Sequence, residues 1–438
     1  MYDIIYIGGG LNYAGAVIAA KNGLKVALIE KDMDLLGGVC LHKGCIPSKM
    51  FLHYSNSVLK AQGEMFYGDL SLNIKVLVEK KNKLIQSARS SVHAQCKGID
   101  LIEGEGIIKE AHKVSVKDKV YEAKHVVIGT GSSPHIPDGI NYDGKKIITS
   151  DEALNLDGLP QNISIYGAGA IALEMASFFA SCGVEVNLFY RSEMIQNKAH
   201  PFIQKSLQAD LEKIGIKFFP SHKIVQAISD ARGVKILFEN KVEVKSELLL
   251  IAAGRRANLS VIATKDIQTD DGIICNEYFE TSLKNHYAIG DCNAKLQLAH
   301  AARAQVLNVT MSILGHNTHV LNLNHVVKFI HTLPLSYASV GLTKDTLDKT
   351  DTIYKQSIVK LNNFTISAFH MASNGMMIVY ADDDNFIIGA EILAPDAQEL
   401  ISSVAVALAG EMDVGLTSMT IMAHPTFSEA LERTYFHL

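Results

Sequence analysis

The sequence predicts an α/β protein with parallel sheets, and three observations carry that reading. Apolar strand-like runs alternate with helix-like patterns along most of the chain. A strand–glycine–helix opening occurs twice, at Gly8-Gly9-Gly10 and at Gly167-Ala168-Gly169. From about residue 325 the pattern changes to paired strands followed by helices, which reads as a separate α+β domain. The expectation is two Rossmann-like nucleotide-binding domains and a C-terminal α+β domain.

Length and composition agree. At about 150 residues per domain, 438 residues make roughly three domains. The chain is 48% hydrophobic and 20% charged, ordinary for a protein with sizeable cores. A net charge of −5 gives no reason to expect nucleic acid or an anionic membrane as partner. Six cysteines are too few for a disulfide-stapled secreted scaffold. No cationic and apolar leader opens the chain, and its apolar runs fall short of the roughly 20 residues of a membrane span. A soluble, cytoplasmic protein is expected.

Gly8-Gly9-Gly10 follows the buried run Ile4-Ile5-Tyr6-Ile7 and opens a small-residue helix pattern over Ala14 to Asn22. Val26-Ala27-Leu28-Ile29 is a second apolar strand ending in Glu30. Glycines at such a turn let the backbone approach a pyrophosphate, whose charge the helix N-terminus favours. An acid after the second strand can bond ribose hydroxyls, which makes Gly8, Gly10 and Glu30 candidate dinucleotide contacts. Tyr13 stands where G-x-G-x-x-G has its third glycine. A helix start shifted by one residue would leave Asn12, Ala14 or Gly15 to provide the close approach. The alternative is a glycine-rich turn that binds nothing.

Cys40 and Cys45 sit in Gly37-Gly38-Val39-Cys40-Leu41-His42-Lys43-Gly44-Cys45-Ile46-Pro47-Ser48-Lys49. On a regular helix, α-carbons five residues apart lie roughly 8.6 Å from each other. A disulfide spans no more than roughly 7 Å. Gly44 and Pro47 ease the distorted turn that would bring the two together. The pair reads as redox-active. Half of a metal site is the alternative, but no second Cys/His pair with metal spacing accompanies it. The flanking glycines and Lys43 argue against two core thiols. Cys96, Cys182, Cys275 and Cys292 are isolated in sequence and read as bystanders.

Ile74 to Lys97 reads as a long helix stopped by Gly98. Residues 112–131 alternate and read as a short meander. The second opening, after Ile163 to Tyr166, has Ala172 at its third glycine position, and its next strand, Val184 to Phe189, runs into Tyr190-Arg191-Ser192. An acid there would hold the NAD ribose; an arginine suits the 2′-phosphate of NADP. Arg191 therefore favours NADPH over NADH, with Glu193 the counter-signal and a solvated arginine the alternative. Further on, Ile358 to Phe369 and Met376 to Leu393 read as strands with a hairpin turn at Asp382-Asp383-Asp384-Asn385. In His424-Pro425-Thr426-Phe427-Ser428-Glu429, Pro425 favours an extended His424 and can start the next helix. Glu429 can fix the tautomer of His424 and leave its other nitrogen for proton transfer; a surface turn is the alternative.

The segment G-G-V-C-L-H-K-G-C-I-P-S-K resembles the active-site segment of the class I, flavin-dependent pyridine nucleotide–disulfide oxidoreductases, and the resemblance extends over essentially the whole chain. Its I-P-S-K ending resembles the dihydrolipoyl dehydrogenase branch, whereas Ala172 and Arg191 resemble the NADPH-using glutathione and trypanothione reductases. The resemblance implies FAD in a discontinuous first domain of residues 1–149 and 268–320. It implies NADPH or NADH in residues 150–267 and a dimerisation domain in residues 321–438. Cys45 would be the thiol nearest the flavin, Cys40 the one exchanging with substrate, and Lys49 would lie near the flavin paired with Glu174. Residues 281–291 read as a strand ending in Gly-Asp and resemble the second FAD motif, with Asp291 on the ribityl chain. Residues 128–132 and 250–256 resemble the two connections between the dinucleotide domains, with Ala257 where a proline is common. On the same resemblance Gly38, Thr130 and Gly131 join the FAD contacts, and Gly167, Gly169, Ala172, Glu174 and Gly254 join Arg191 at NAD(P). Leu335 replaces the acid that usually follows the proline at 334.

The implied function is an FAD-dependent NAD(P)–disulfide oxidoreductase, most simply a dihydrolipoyl dehydrogenase. An NADPH-dependent reductase of a small disulfide, like glutathione reductase, is the alternative, and a flavin-binding redox sensor without disulfide turnover is a third reading. The resemblance implies a homodimer in which His424 serves the cysteines of the partner subunit. The expected partners are a lipoyl group or another low-molecular-weight dithiol or disulfide and, for the dehydrogenase, a 2-oxoacid dehydrogenase complex. No metal is expected.

Overall fold

The computed structural model describes residues 1–63 and 65–438. β1 (Tyr2–Ile7), α1 (Asn12–Lys21) and β2 (Val26–Glu30) form the opening βαβ unit. α2 (Gly38–Lys43), α3 (Cys45–Ala61) and the long α4 (Ile74–Gln95) follow. Gly98 turns the chain after α4 with φ +89°. Next come β3 (Asp100–Glu103), β4 (Ile107–Glu110), β5 (Lys113–Val116), β6 (Lys119–Ile128) and β7 (Ser132–Pro134).

The second dinucleotide-type run comprises β8 (Ile147–Ile148), α5 (Ser150–Ala153), β9 (Asn162–Tyr166), α6 (Ala170–Ser181), β10 (Glu185–Phe189), α7 (Pro201–Lys213) and β11 (Ile216–Phe219). A meander of β12 (Ile224–Asp230), β13 (Gly233–Phe238) and β14 (Glu243–Ser246) leads to β15 (Leu248–Ile251). β16 (Arg255–Ala257), β17 (His286–Ala288) and α8 (Ala299–Ile313) come next. The last part holds β18 (Lys328–Ile330), β19 (Ser336–Gly341), α9 (Lys344–Lys349), β20 (Tyr354–Lys360) and α10 (Ile366–Phe369). It closes with β21 (Met376–Asp382), β22 (Ile387–Ala394), α11 (Ala397–Ala409), α12 (Val414–Ser418) and α13 (Ser428–Phe436).

Contacts group the described residues into two units. The first comprises Met1–Pro47, Val78–His135 and Gly254–Leu323. Its sheet runs β3-β2-β1-β6-β5-β4, and β17 adds parallel to β6 with His286 opposite Val126. β1 lies between two parallel neighbours and is buried on both faces, so its apolar run is continuous rather than alternating. Period-2 geometry still sorts its residues: Ile4 and Tyr6 pack in one cluster with Leu28 and Val306, Ile5 and Ile7 in another with Ala27 and Ile29. On the first face α1 packs against α8. A Cβ on Gly15 would lie 2.5 Å from Thr310 Oγ1, so Gly15 sets the distance between these helices.

The second unit comprises Ser48–Leu77, Ile136–Ala253 and Asn324–Leu438. It holds the parallel sheet β11-β10-β9-β15-β8, the meander, and an antiparallel sheet β18-β19-β22-β21-β20. The antiparallel sheet buries a carboxyl group: Glu391 accepts hydrogen bonds from Tyr337 Oη (2.9 Å), Tyr380 Oη (2.8 Å) and the His200 N–H (2.8 Å).

Three expected elements differ. The strand expected to run to Phe369 ends at Lys360, where Asn362 and Asn363 favour a turn that passes into α10. The strand before Asp291 shrinks to β17, because Asn285 turns the chain with φ +61°. Pro425 stays outside α13, which starts at Ser428, and the His424–Pro425 peptide is cis. Among the described residues no helix is long and apolar enough to cross a membrane.

Candidate functional site

The first glycine loop is a backbone cradle. Gly8 has φ +95°, and a Cβ there would lie 2.3 Å from the Gly129 carbonyl oxygen, so no other residue fits. Gly38, at φ +77°, faces Gly10: a Cβ on Gly38 would lie 2.7 Å from the Gly10 α-carbon. Those close contacts lock the loop, while Gly10 itself has its nearest neighbour 3.9 Å from where a Cβ would stand, so a pyrophosphate can approach the backbone there. Glu30, at the end of β2, accepts from the backbone N–H of Gly9 and of Asp32 and so leans over the loop. Asn12 starts α1 fully buried; its Nδ2 donates to the Ile7 carbonyl at 3.0 Å, and its Oδ1 has no hydrogen-bond partner among the described residues. Gly15 is turned to α8 and does not replace the missing third glycine.

The cysteines lie directly beyond this cradle. Gly38 is the first residue of α2, which carries Cys40; α2 stops at Gly44 (φ −130°, ψ −119°), and Cys45 begins α3. The break separates the two cysteines from a common regular helix, the distortion that their spacing requires. Cys45 is exposed and Cys40 half-buried. The bystander thiols differ: burial pushes Cys96 and Cys292 up to about 11 and Cys182 up to about 12, and raises Cys275 as well. Such thiols are poor nucleophiles.

In the same unit Thr130 and Asn258 bind each other twice, Oγ1 to carbonyl at 2.7 Å and Nδ2 to carbonyl at 2.9 Å. Gly131 (φ +69°) and Gly254 (φ +104°) turn the chain into β7 and β16, which pair antiparallel. Asp291 sits in a short 3-10 turn after β17 and accepts from Ser132 Oγ at 2.5 Å.

The second unit holds the remaining candidates. Lys49, on α3, forms an ion pair with Glu174 of α6. Glu174, only 9% exposed, also accepts from the His331 N–H at 3.0 Å, and Lys49 Nζ lies 5.2 Å from the Phe329 ring centre. Burial, followed by the nearby Lys49 charge, pushes His331 below the usual imidazole range. Leu335, at the departure from the family pattern, is buried, and its carbonyl accepts from Thr332 Oγ1.

His424 stands 80% exposed with Nδ1 2.7 Å from Glu429 Oε2. Glu429 Oε1 accepts from the Thr426 N–H at 2.8 Å. The His424 hydrogen bond, helped by that of Thr426, holds the Glu429 carboxyl below the usual range. An ionised acceptor at Nδ1 puts the neutral-state proton there and leaves Nε2 to exchange protons.

In the second glycine loop Gly167 has φ +142°, and a Cβ would meet the Ala252 carbonyl oxygen at 2.1 Å. Gly169 caps α6 with open space around it, and Ala172 is buried in the first turn. Arg191 is exposed just past β10, beside Tyr190, which is buried. Among the described residues no cluster of three His, Cys, Asp or Glu side chains could hold a metal ion. Sequence reasoning passed over the roles of Ser132, Arg255, Asn258 and His331. Ser132 and Arg255 each follow a left-handed glycine, Gly131 and Gly254, and that spacing was the available signal.

Residues 2–305 match the description "Pyridine nucleotide-disulphide oxidoreductase", and residues 327–435 match the dimerisation domain of the same family. The chain is 32% identical to a dihydrolipoyl dehydrogenase of Bacillus subtilis, over 98% of its own length and 96% of the relative. It is 31% identical to a leghemoglobin reductase of Glycine max, over 98% and 86%. In fold it superposes on LpdA from Mycobacterium tuberculosis (TM-score 0.91, 21% identity, 100% and 99% of the two chains). It also superposes on the HOCl-induced flavoprotein disulfide reductase RclA from Escherichia coli (TM-score 0.89, 22% identity, 99% of each). FAD and a nicotinamide dinucleotide are characteristic of this family. The chain therefore belongs to the pyridine nucleotide-disulphide oxidoreductases and is an FAD-dependent oxidoreductase.

Proposed function

We propose that the chain is a dihydrolipoyl dehydrogenase, oxidising a dihydrolipoyl dithiol at Cys40 and Cys45 and passing the electrons to a nicotinamide dinucleotide. One observation carries the chemistry: the cysteines flank the helix break at Gly44, with Cys40 two residues beyond the Gly10–Gly38 cradle. The relative from Bacillus subtilis, matched over 98% of the chain, supports the dithiol substrate. Residues 1–149 with 268–320 would hold FAD through Gly8, Gly10, Glu30, Gly38, Thr130, Gly131 and Asp291. Residues 150–267 would hold the nicotinamide dinucleotide through Gly167, Gly169, Ala172 and Arg191, joined by Gly254 from the return connection. Residues 321–438 would pair two copies into a homodimer, a reading that the matched dimerisation domain supports.

Bound FAD would supply the two-electron relay between thiols and nicotinamide. In the proposed cycle a substrate thiolate attacks Cys40 of the oxidised pair. A bond forms between substrate sulfur and Cys40 as the Cys40–Cys45 bond breaks. The second substrate thiol then displaces Cys40, closing the substrate disulfide and leaving both cysteines reduced. In the homodimer, His424 Nε2 of the other copy would take the protons released in turn, with Glu429 steadying the imidazolium. Cys45 hands on the two electrons, with Glu174 holding the Lys49 charge near the start of α3. The partner would be a lipoyl-bearing 2-oxoacid dehydrogenase complex in the cytoplasm.

A second reading, an NADPH-dependent reductase of a small disulfide, is favoured by exposed Arg191 at the position where an acid would hold NAD. A steady-state grid of NADH and NADPH against lipoamide and several thiol disulfides decides between them. Turnover confined to lipoamide supports the first reading. Turnover confined to other disulfides overturns it. Full NAD(P)H–disulfide activity in both Cys45→Ser and His424→Ala would refute the mechanism itself.

A further inference from the structure

Ser132 lies between a cation and an anion. Arg255 Nε donates to Ser132 Oγ at 2.8 Å, and Arg255 Nη2 donates to the Ser132 carbonyl at 2.6 Å. A serine hydroxyl has one proton and two lone pairs. With an always-charged guanidinium donating into Oγ, that proton is committed elsewhere, and it points at Asp291 Oδ2, 2.5 Å away. The direction of the chain Arg255→Ser132→Asp291 is thus fixed by donor count alone. The three residues come from three elements, β16, β7 and the turn after β17.

This chain has a consequence for any ligand at Asp291. A carboxylate held at one oxygen by a charge-assisted donor is rotationally fixed, and its second oxygen is presented in one direction. Two neighbouring contacts make the support rigid. Ser133 Oγ donates to Asn258 Oδ1 at 2.7 Å, and the Asn258 N–H donates to the Gly131 carbonyl at 3.0 Å.

We propose that Ser132, polarised by Arg255, is a positioning residue that orients the Asp291 carboxylate toward a hydroxyl of FAD. The proposal rests on the reading of Asp291 as an FAD contact.

The test is FAD release from the holoprotein, followed as recovery of flavin fluorescence on dilution, in wild type, Ser132→Ala, Ser132→Thr, Asp291→Ala and the Ser132→Ala/Asp291→Ala double variant. One hydrogen bond to a charged group corresponds to a change of roughly ten- to a hundredfold in affinity. Ser132→Ala is expected to weaken FAD binding about tenfold, Ser132→Thr to restore it, and Asp291→Ala to weaken it by at least as much. In the Asp291→Ala background, Ser132→Ala is expected to add nothing, which a merely structural serine would not reproduce. Unchanged FAD affinity in Ser132→Ala, with loss in Asp291→Ala, overturns the positioning role and leaves Asp291 as the contact. An additive loss in the double variant overturns it too. Wild-type affinity in Asp291→Ala overturns the reading of Asp291 itself.

Discussion

Glu429 holds His424 by one carboxylate oxygen and the Thr426 N–H by the other, at 2.7 and 2.8 Å. The arrangement dictates what Glu429→Gln would do. An amide can turn its oxygen to Thr426, but its NH2 then faces Nδ1 and moves the imidazole proton to Nε2. The base would be lost while the fold is kept. Glu429→Gln is expected to lower kcat on the order of a hundredfold or more, within the range of acid–base contributions. Steady-state turnover with lipoamide, beside an unchanged thermal midpoint, checks it.

Gly38→Ala tests the cradle. The substitution places a methyl group against the Gly10 backbone in a left-handed conformation, at about 1–2 kcal/mol of strain before any clash. The purified variant is expected to carry little flavin, measured as flavin absorbance per mole of chain. Gly23→Ala is the control: Gly23 has φ +83° but open space around it, so it shares the strain without the cradle and should retain FAD.

Arg191 is the nicotinamide test. Losing a charge-assisted bond to a 2′-phosphate corresponds to about 1.5–3 kcal/mol. Arg191→Ala is expected to lower kcat/KM for NADPH by roughly ten- to a hundredfold and to leave NADH within about twofold. Equal effects on the two cofactors would make Arg191 a solvated surface residue.

Acid should loosen the first unit through a cluster of three histidines where β5, β6 and β17 meet. His286 is buried, and its Nε2 accepts the His112 N–H at 3.2 Å; the two rings lie 5.1 Å apart. Burial pushes His286 below its ordinary value of 6.5 against the opposing hydrogen bond to the Lys284 carbonyl, with the neighbouring histidines adding to the lowering, and burial lowers His125 as well. Glu280 acts in the opposite sense on both; beside His125, Lys124 adds to the lowering and Asp3 opposes it. A histidine with a depressed native value takes up fewer protons folded than unfolded. Its stability is complete above 6.5 and is lost as pH falls below that value. The thermal midpoint is expected to drop between about pH 7 and pH 5, and less steeply in His286→Gln. An identical slope in that variant would remove His286 from the cause.

The legible parts of the molecule were those written locally. Both glycine loops, Glu30 at the end of β2 and Gly98 after α4 follow from apolar runs and punctuation within about thirty residues. The break at Gly44 follows from cysteine spacing. What stayed hidden depends on neighbours far along the chain. Gly15 looked like a substitute for the third loop glycine but answers to Thr310. β17 is three residues long and makes sense only beside β6. The Lys49–Glu174 pair came from resemblance alone, since nothing in the spacing of the two residues announces it. Arg255, Ser132 and Asp291 meet only once two connections and a turn are in place.

The pairing of β17 with β6 also sets an order of events at the ribosome. His286 closes onto Val126, so the first sheet lacks that strand until roughly 160 further residues have emerged, about 10–30 s at common synthesis rates. During that interval the inserted stretch from Ile136 to Ala253 is already complete, with both its sheets available to form. The N-terminal segment, holding the glycine loop and both cysteines, is therefore one strand short of its sheet until after the inserted stretch has been made.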